Sequence, residues 1–323
     1  MKLRYGLAVL GLGLALLLTA CSSGGSYNYA SPAAVAASPT PSLDLTKDDL
    51  GRGVTPPSPA RRVVAMSPSV VELMLAVGAT PVGRPSSADF PEAAKQVTSF
   101  GTSYQPSFEE IVAMKPDLIV ADALIHSSMI DELARLGAPV FAIRVASFDA
   151  VASGLRRVGA LTGNKEAGER EAKTLETKLA GITAKLPAAG PSVLVIVGAG
   201  PTQVFAAKSD SYVGDLVRRL GGKNAVTSEP ETFRLPGFTE YSLERIVEKN
   251  PDVIIAISPG PQSNATTQAL SRSPIWSSLS AVKAGRVNEV DPIIYVQSAG
   301  PRVGQILDEL PRLLYPTVFA SAR

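Results

Sequence analysis

Ser107-Phe108-Glu109-Glu110-Ile111-Val112-Ala113-Met114-Lys115-Pro116-Asp117-Leu118-Ile119-Val120-Ala121-Asp122 returns, with substitutions, 135 residues later as Ser242-Leu243-Glu244-Arg245-Ile246-Val247-Glu248-Lys249-Asn250-Pro251-Asp252-Val253-Ile254-Ile255-Ala256-Ile257. A constant offset between two such stretches marks a duplicated unit. Each copy reads as a helix followed by a strand. Ser107 and Ser242 stand where an N-cap hydroxyl accepts orphan amides, with acidic residues in the first turn. Ile111, Val112 and Met114, or Ile246 and Val247, supply an apolar helical stripe. Pro116 and Pro251 stop the helix, and Leu118-Ile119-Val120 or Val253-Ile254-Ile255 follows as a run apolar on both faces. Such strands belong in a parallel sheet covered by helices.

The same grammar extends outward from each copy. Arg62 to Met66 precedes a helical pattern over 69–78, and Ser192 to Val197 precedes one over 211–220. Strands alternating with helices imply a parallel α/β sheet in each half. Between the halves, Phe148 to Leu186 is charged, helical in pattern and nearly free of breakers, with Gly163-Asn164 as the candidate interruption. The expected fold is α/β: two parallel-sheet lobes joined by a single long helix, with a ligand cleft between them.

The N-terminus carries a different message. Lys2 and Arg4 precede an apolar run from Leu7 to Leu18, the form of a secretory signal peptide and short for a membrane span. Its end, Leu18-Thr19-Ala20-Cys21, resembles the bacterial lipobox, whose cysteine is lipidated and becomes the mature N-terminus. Cys21 is the only cysteine, so no disulfide is possible within one chain. The sequence thus divides into a signal peptide (1–20), a lipidated disordered linker rich in Ser, Pro, Ala and Gly (21–60), an N-terminal lobe (61–146), a connecting helix (147–187), a C-terminal lobe (188–316) and a tail (317–323). An extracytoplasmic, membrane-anchored location is expected.

The formal net charge is +2, and removing Lys2 and Arg4 brings the mature chain to neutrality. A nucleic-acid partner would need a basic patch, and none is expected. Gly198-Ala199-Gly200-Pro201 lacks the third glycine of a dinucleotide fingerprint, because Gln203 stands there. No Gly-x-Ser-x-Gly elbow or P-loop appears, and the chain is read as a non-enzyme without a resident cofactor. His126 is the only histidine, too few for a site built from converging imidazoles around bare zinc or manganese. It remains a candidate axial ligand for haem iron, alone or with Tyr104 or Tyr295, against the plainer reading of a loop histidine. Trp276 reads as helix packing.

A tethered, duplicated α/β chain with a helical spine resembles the substrate-binding lipoproteins of ABC importers, in the branch that carries iron–siderophore, haem and vitamin B12. The resemblance covers nearly all of residues 61–316. It is carried by Ser67-Pro68-Ser69-Val70-Val71-Glu72-Leu73 with Gly78, Asp89-Phe90-Pro91 and Met114 to Val120. In the second half it rests on Gly221-Gly222-Lys223-Asn224, Ala281 to Val287, and Leu307-Asp308-Glu309-Leu310 before Tyr315-Pro316. It implies a monomeric receptor that captures a metal chelate (ferric siderophore, haem or cobalamin) and delivers it to ABC permease and ATPase subunits. A metallochaperone or enzyme, or a sensor lipoprotein on the same fold, is the alternative.

The resemblance also implies site residues. Glu72 matches the glutamate that docks on permease arginines. The corresponding second-lobe position holds Arg218, leaving Asp215, one turn earlier, as the candidate substitute. Ligands in α/β sheets sit beyond the carboxyl ends of strands, which selects Arg84, Ser87, Phe90, Tyr104 and Asp122 in the first lobe. Phe205, Arg234, Phe238 and Tyr295 are the second-lobe candidates, with Phe205 and Tyr295 at ring-stacking positions. The first lobe places Ser87, Ser103 and Asp122 where B12-binding relatives carry aromatics, which favours a more polar chelate, with Arg84 or Arg234 pairing anionic oxygens.

Overall fold

The computed structural model describes residues 43–198, 203–226, 235–258, 264–297 and 299–320. The signal peptide, Cys21 and Arg234 lie outside them. The first lobe runs β1 (Val63–Ala65), α1 (Pro68–Ala76), α2 (Phe108–Ala113), β2 (Leu118–Asp122), α3 (Ile130–Ala134) and β3 (Val140–Ile143). Helices α4 (Phe148–Thr162) and α5 (Lys165–Thr183) follow. The second lobe runs β4 (Ser192–Gly198), β5 (Gln203–Ala207), α6 (Tyr212–Arg219), β6 (Lys223–Asn224), β7 (Phe238–Ser242), α7 (Leu243–Lys249), β8 (Val253–Ile257), α8 (Ala265–Ser271), α9 (Ser280–Lys283), β9 (Val287–Val290) and α10 (Val303–Leu314).

The two copies of the repeat fold alike, down to single atoms. The hydroxyls of Ser107 and Ser242 accept from the amides of Glu110 and Arg245. Lys115 and Asn250 both take the left-handed backbone, φ 49° and 42°, to end their helices before proline. Asp117 then accepts from the amides of Arg61 and Arg62 at 2.7 and 2.9 Å, and Asp252 from Ser192 at 2.8 Å. In each lobe the aspartate of Pro-Asp caps the start of the neighbouring strand.

The first sheet is parallel, ordered β1-β2-β3, and extends past β1 through parallel bridges Val64 to Gly83 and Arg84 to Ser99. The second is ordered β7-β5-β4-β8-β9, with β6 beside β4, and is mixed rather than wholly parallel. Strand β5 runs antiparallel to both β4 and β7. The connection from Gly198 to Gln203 is too short for a crossover, so the chain must fold back on itself. Alternate residues of the central strands enter different cores. Leu118 and Val120 face one core while Ile119 and Ala121 face another; Val253 and Ile255 oppose Ile254 and Ala256 in the same way.

The spine breaks at Gly163, whose φ of 83° ends α4 and separates it from α5. The two helices pack closely because Gly159 and Gly168 meet: a Cβ on Gly159 would lie 3.0 Å from the Cα of Gly168. Arg156 of α4 bonds both Glu169 and Glu176 of α5 across this contact. Apolar residues of both lobes, among them Leu73, Phe148, Leu216 and Leu307, belong to one continuous core along the spine.

The expected linker over 21–60 is corrected for its described part. Residues 44–54 form a strap along the free edge of β3. Asp49 donates its amide to the Ala142 carbonyl, Ala142 donates its own to the Asp48 carboxylate, and Arg157 of α4 bonds Asp49 and the Lys47 carbonyl. The strap satisfies an edge that would otherwise present unpaired backbone. Carboxylates hold it together with Leu45, Leu50 and Val54, whose irregular spacing leaves no hydrophobic period to read. The tail is likewise partly packed, with Phe319 against Tyr315. Among the described residues no helix is long and apolar enough to cross a membrane.

Candidate functional site

Because β1, β2, β3 and the bridges at Gly83 and Ser99 are all parallel, their carboxyl ends share one edge of the first lobe. The turns that leave this edge carry Ser86 to Phe90, Gly101 to Gln105 and Ala123 to Ser128. Three large side chains stand in solvent there: Tyr104 at 73% exposure, Phe90 at 41% and Leu124 at 36%. Ser87 is exposed beside them. Leu124 is a contact candidate that the sequence reading did not single out.

Arg84 has a different task from the one expected. Its guanidinium donates to the carbonyls of Val97, Pro85 and Ser86 at 3.0–3.2 Å, stitching the turn that bears Ser87 and Phe90. Asp122 is buried, and its carboxylate accepts from the Leu124 amide at 2.9 Å. Burial pushes its pKa up, against the opposing pull of that amide, His126 and the Ser67 hydroxyl. It supports the turn from below.

His126 is fully buried, so the reading as a haem ligand is corrected. Nδ1 faces the Asp122 amide and Nε2 the Ser103 carbonyl, both at 3.0 Å, which leaves neither nitrogen for iron. Burial lowers its pKa. Among the described residues no group of three or more His, Cys, Asp or Glu is arranged to hold a metal ion.

On the second lobe, Phe205 is half-buried on β5. Phe238 and Tyr295 are buried in the core, a correction to their place as ligand-stacking rings. Tyr295 lies in a π-helical turn, Ile293–Gln297, and its hydroxyl donates to Glu309 Oε2 at 2.9 Å. Burial and that carboxylate raise the phenol well above its ordinary pKa. Trp276 is buried in the outer core of this lobe.

The two docking candidates face arginines, but arginines of this chain. Glu72 of α1 receives Arg302, Nε to Oε2 at 2.9 Å and Nη2 to Oε1 at 2.6 Å. The same guanidinium lies 4.2 Å from the centre of the Phe90 ring. Asp215 of α6 accepts from Arg218, from Arg219 and from the backbone amide of Phe148 at 3.0 Å, tying the second lobe to the start of α4. A hollow of about 390 Å³ lies at the junction, lined by Glu72, Phe90, Pro91, Lys178, Pro301 and Arg302 among others. The bridging role of Arg302 had one signal in the sequence. A cation at the N-terminus of a helix opposes the helix dipole and implies a compensating carboxylate.

A family model described as periplasmic binding protein matches residues 63–294. An uncharacterised ABC transporter substrate-binding lipoprotein of Bacillus subtilis is 26% identical over 321 residues, 96% of this chain and 98% of the relative. A vitamin B12-binding protein of Salmonella choleraesuis is 30% identical over 197 residues, 61% of this chain and 72% of the relative. An ABC transporter substrate-binding protein from Listeria monocytogenes shares the fold, with a TM-score of 0.69 at 21% identity over 80% of this chain and 99% of that one.

Proposed function

Since the chain belongs to the periplasmic binding protein family, we propose that it is a lipid-anchored extracytoplasmic receptor that holds a metal chelate between its lobes. The chelate is a ferric siderophore, haem or cobalamin, and the receptor delivers it to an ABC permease. The observation that carries this reading is the exposure of Tyr104, Phe90 and Leu124 on turns that leave one strand-end edge, the Phe90 ring stacked on one face by Arg302. Large apolar side chains gathered at such an edge are suited to cover a bulky ligand, aromatic faces contributing most. The B12-binding and ABC-lipoprotein relatives support the ligand class and the transport context.

Anchoring would run through Cys21, and mass spectrometry of the native protein checks its acylation. Delivery through Glu72 and Asp215 would require Glu72 to exchange Arg302, and Asp215 to exchange Arg218 or Arg219, for an arginine of the permease. The binding test is titration of the mature domain with hemin, cyanocobalamin and ferric siderophores, followed by the fluorescence of Trp276. Saturable quenching at micromolar or lower concentration by at least one of them is expected; flat traces for all overturn the ligand class.

A further inference from the structure

We propose that His126 is a positioning residue that sets the 101–105 loop, and with it the Tyr104 ring, at the strand-end edge of the first lobe. The proposal rests on the ligand reading above only for its consequence in binding. The imidazole is wholly enclosed and spans two loops, reaching the Ser103 carbonyl through Nε2 and the Asp122 amide through Nδ1. One tautomer satisfies both contacts. The proton sits on Nε2 and donates to the carbonyl, while the Nδ1 lone pair accepts the amide.

The loop has few other holds. Its ends are fastened where Ser86 donates to the Gly101 carbonyl and Ser107 to the Phe100 carbonyl, and Gln105 closes a turn on the Thr102 hydroxyl. In the middle, the Ser103 hydroxyl is buried with no hydrogen-bond partner among the described residues. The grip on Ser103 therefore passes through its carbonyl to His126. Tyr104 is the next residue and its ring is mostly in solvent, so backbone placement at Ser103 decides where the ring stands.

Protonation would put a second donor on Nδ1, against the Asp122 N–H but 3.2 Å from the Asp122 carbonyl, and would leave the Nε2–H bond to Ser103 in place. The charged group facing the ring is Asp122, on the same turn, and the Ser67 hydroxyl from the start of α1 reaches that carboxyl. Burial keeps the imidazole neutral at neutral pH.

The test uses the mature protein with any histidine tag removed, so that one imidazole signal remains. In ¹⁵N NMR the wild-type ring should report the Nε2–H tautomer and titrate below 6.5; an imidazole titrating as a free one overturns the tie. Amide hydrogen exchange should then accelerate at least tenfold over residues 101–106 in His126→Ala and recover in part in His126→Gln, with α4 and β4 unchanged. Unchanged exchange in that loop, or the same acceleration throughout the chain, overturns the positioning role. Affinity for cyanocobalamin or hemin should fall alike in Tyr104→Ala, in His126→Ala and in the double variant. Exchange that changes as expected with affinity untouched supports the tie and removes Tyr104 from the ligand site instead.

Discussion

Glu72 and Arg302, 230 residues apart in the chain, form one bidentate ion pair that joins α1 of the first lobe to the start of α10 in the second. Their side chains are 3% and 11% exposed. Removing the arginine takes away the guanidinium that balances a carboxylate in low dielectric, whereas replacing both relieves two desolvation penalties at once.

Arg302→Ala is therefore expected to destabilise the fold by about 3 kcal/mol. Glu72→Leu with Arg302→Met should cost less than either single change. Denaturant unfolding of the three variants as a double-mutant cycle checks this, and purely additive losses would refute the coupling.

The strap gives a second expectation. Asp49→Ala removes the carboxylate partner of Arg157, whose side chain is 9% exposed, and leaves the strap tied to α4 only through the Lys47 carbonyl. A loss of about 1–3 kcal/mol should follow, with proteolytic cleavage in the strap before any in the lobes. Limited proteolysis followed by mass mapping reads it; cleavage elsewhere first contradicts it.

The paired aspartates of the repeat should be worth similar amounts. Asp117→Ala and Asp252→Ala each hand exposed strand-start amides over to water, at a cost of about 0.5–1.5 kcal/mol. Melting temperatures of the two variants check whether the duplicated positions still do the same work.

Ser103→Ala is expected to be neutral or stabilising, because it deletes a buried hydroxyl that has no partner. A clear loss of melting temperature would show that the hydroxyl is engaged.

His126 predicts the sign of one pH effect. Its folded pKa lies below the unfolded value of 6.5, so the unfolded state binds the proton first as pH falls. Its stability contribution is complete above about 6.5 and is lost progressively down to the folded value. Asp122, shifted upward, acts in the opposite sense, so the measure is the stability difference between wild type and His126→Gln across this range. A difference independent of pH would contradict it.

The sequence by itself determined the duplication, the N-caps, the proline stops, the two-faced strands and the break at Gly163, because each is a local preference written within a few residues. Tertiary structure alone decided which rings and polar residues face inward. Phe238 and Tyr295 turned into the core, His126 and Asp122 went under the turn, and the strap found the edge of β3 through carboxylates. Ring and charge in a sequence carry no direction; burial and hydrogen-bond satisfaction across distant segments assign it. Arg302 and Glu72 meet for the same reason, since only the packed spine brings the two lobes within reach of each other.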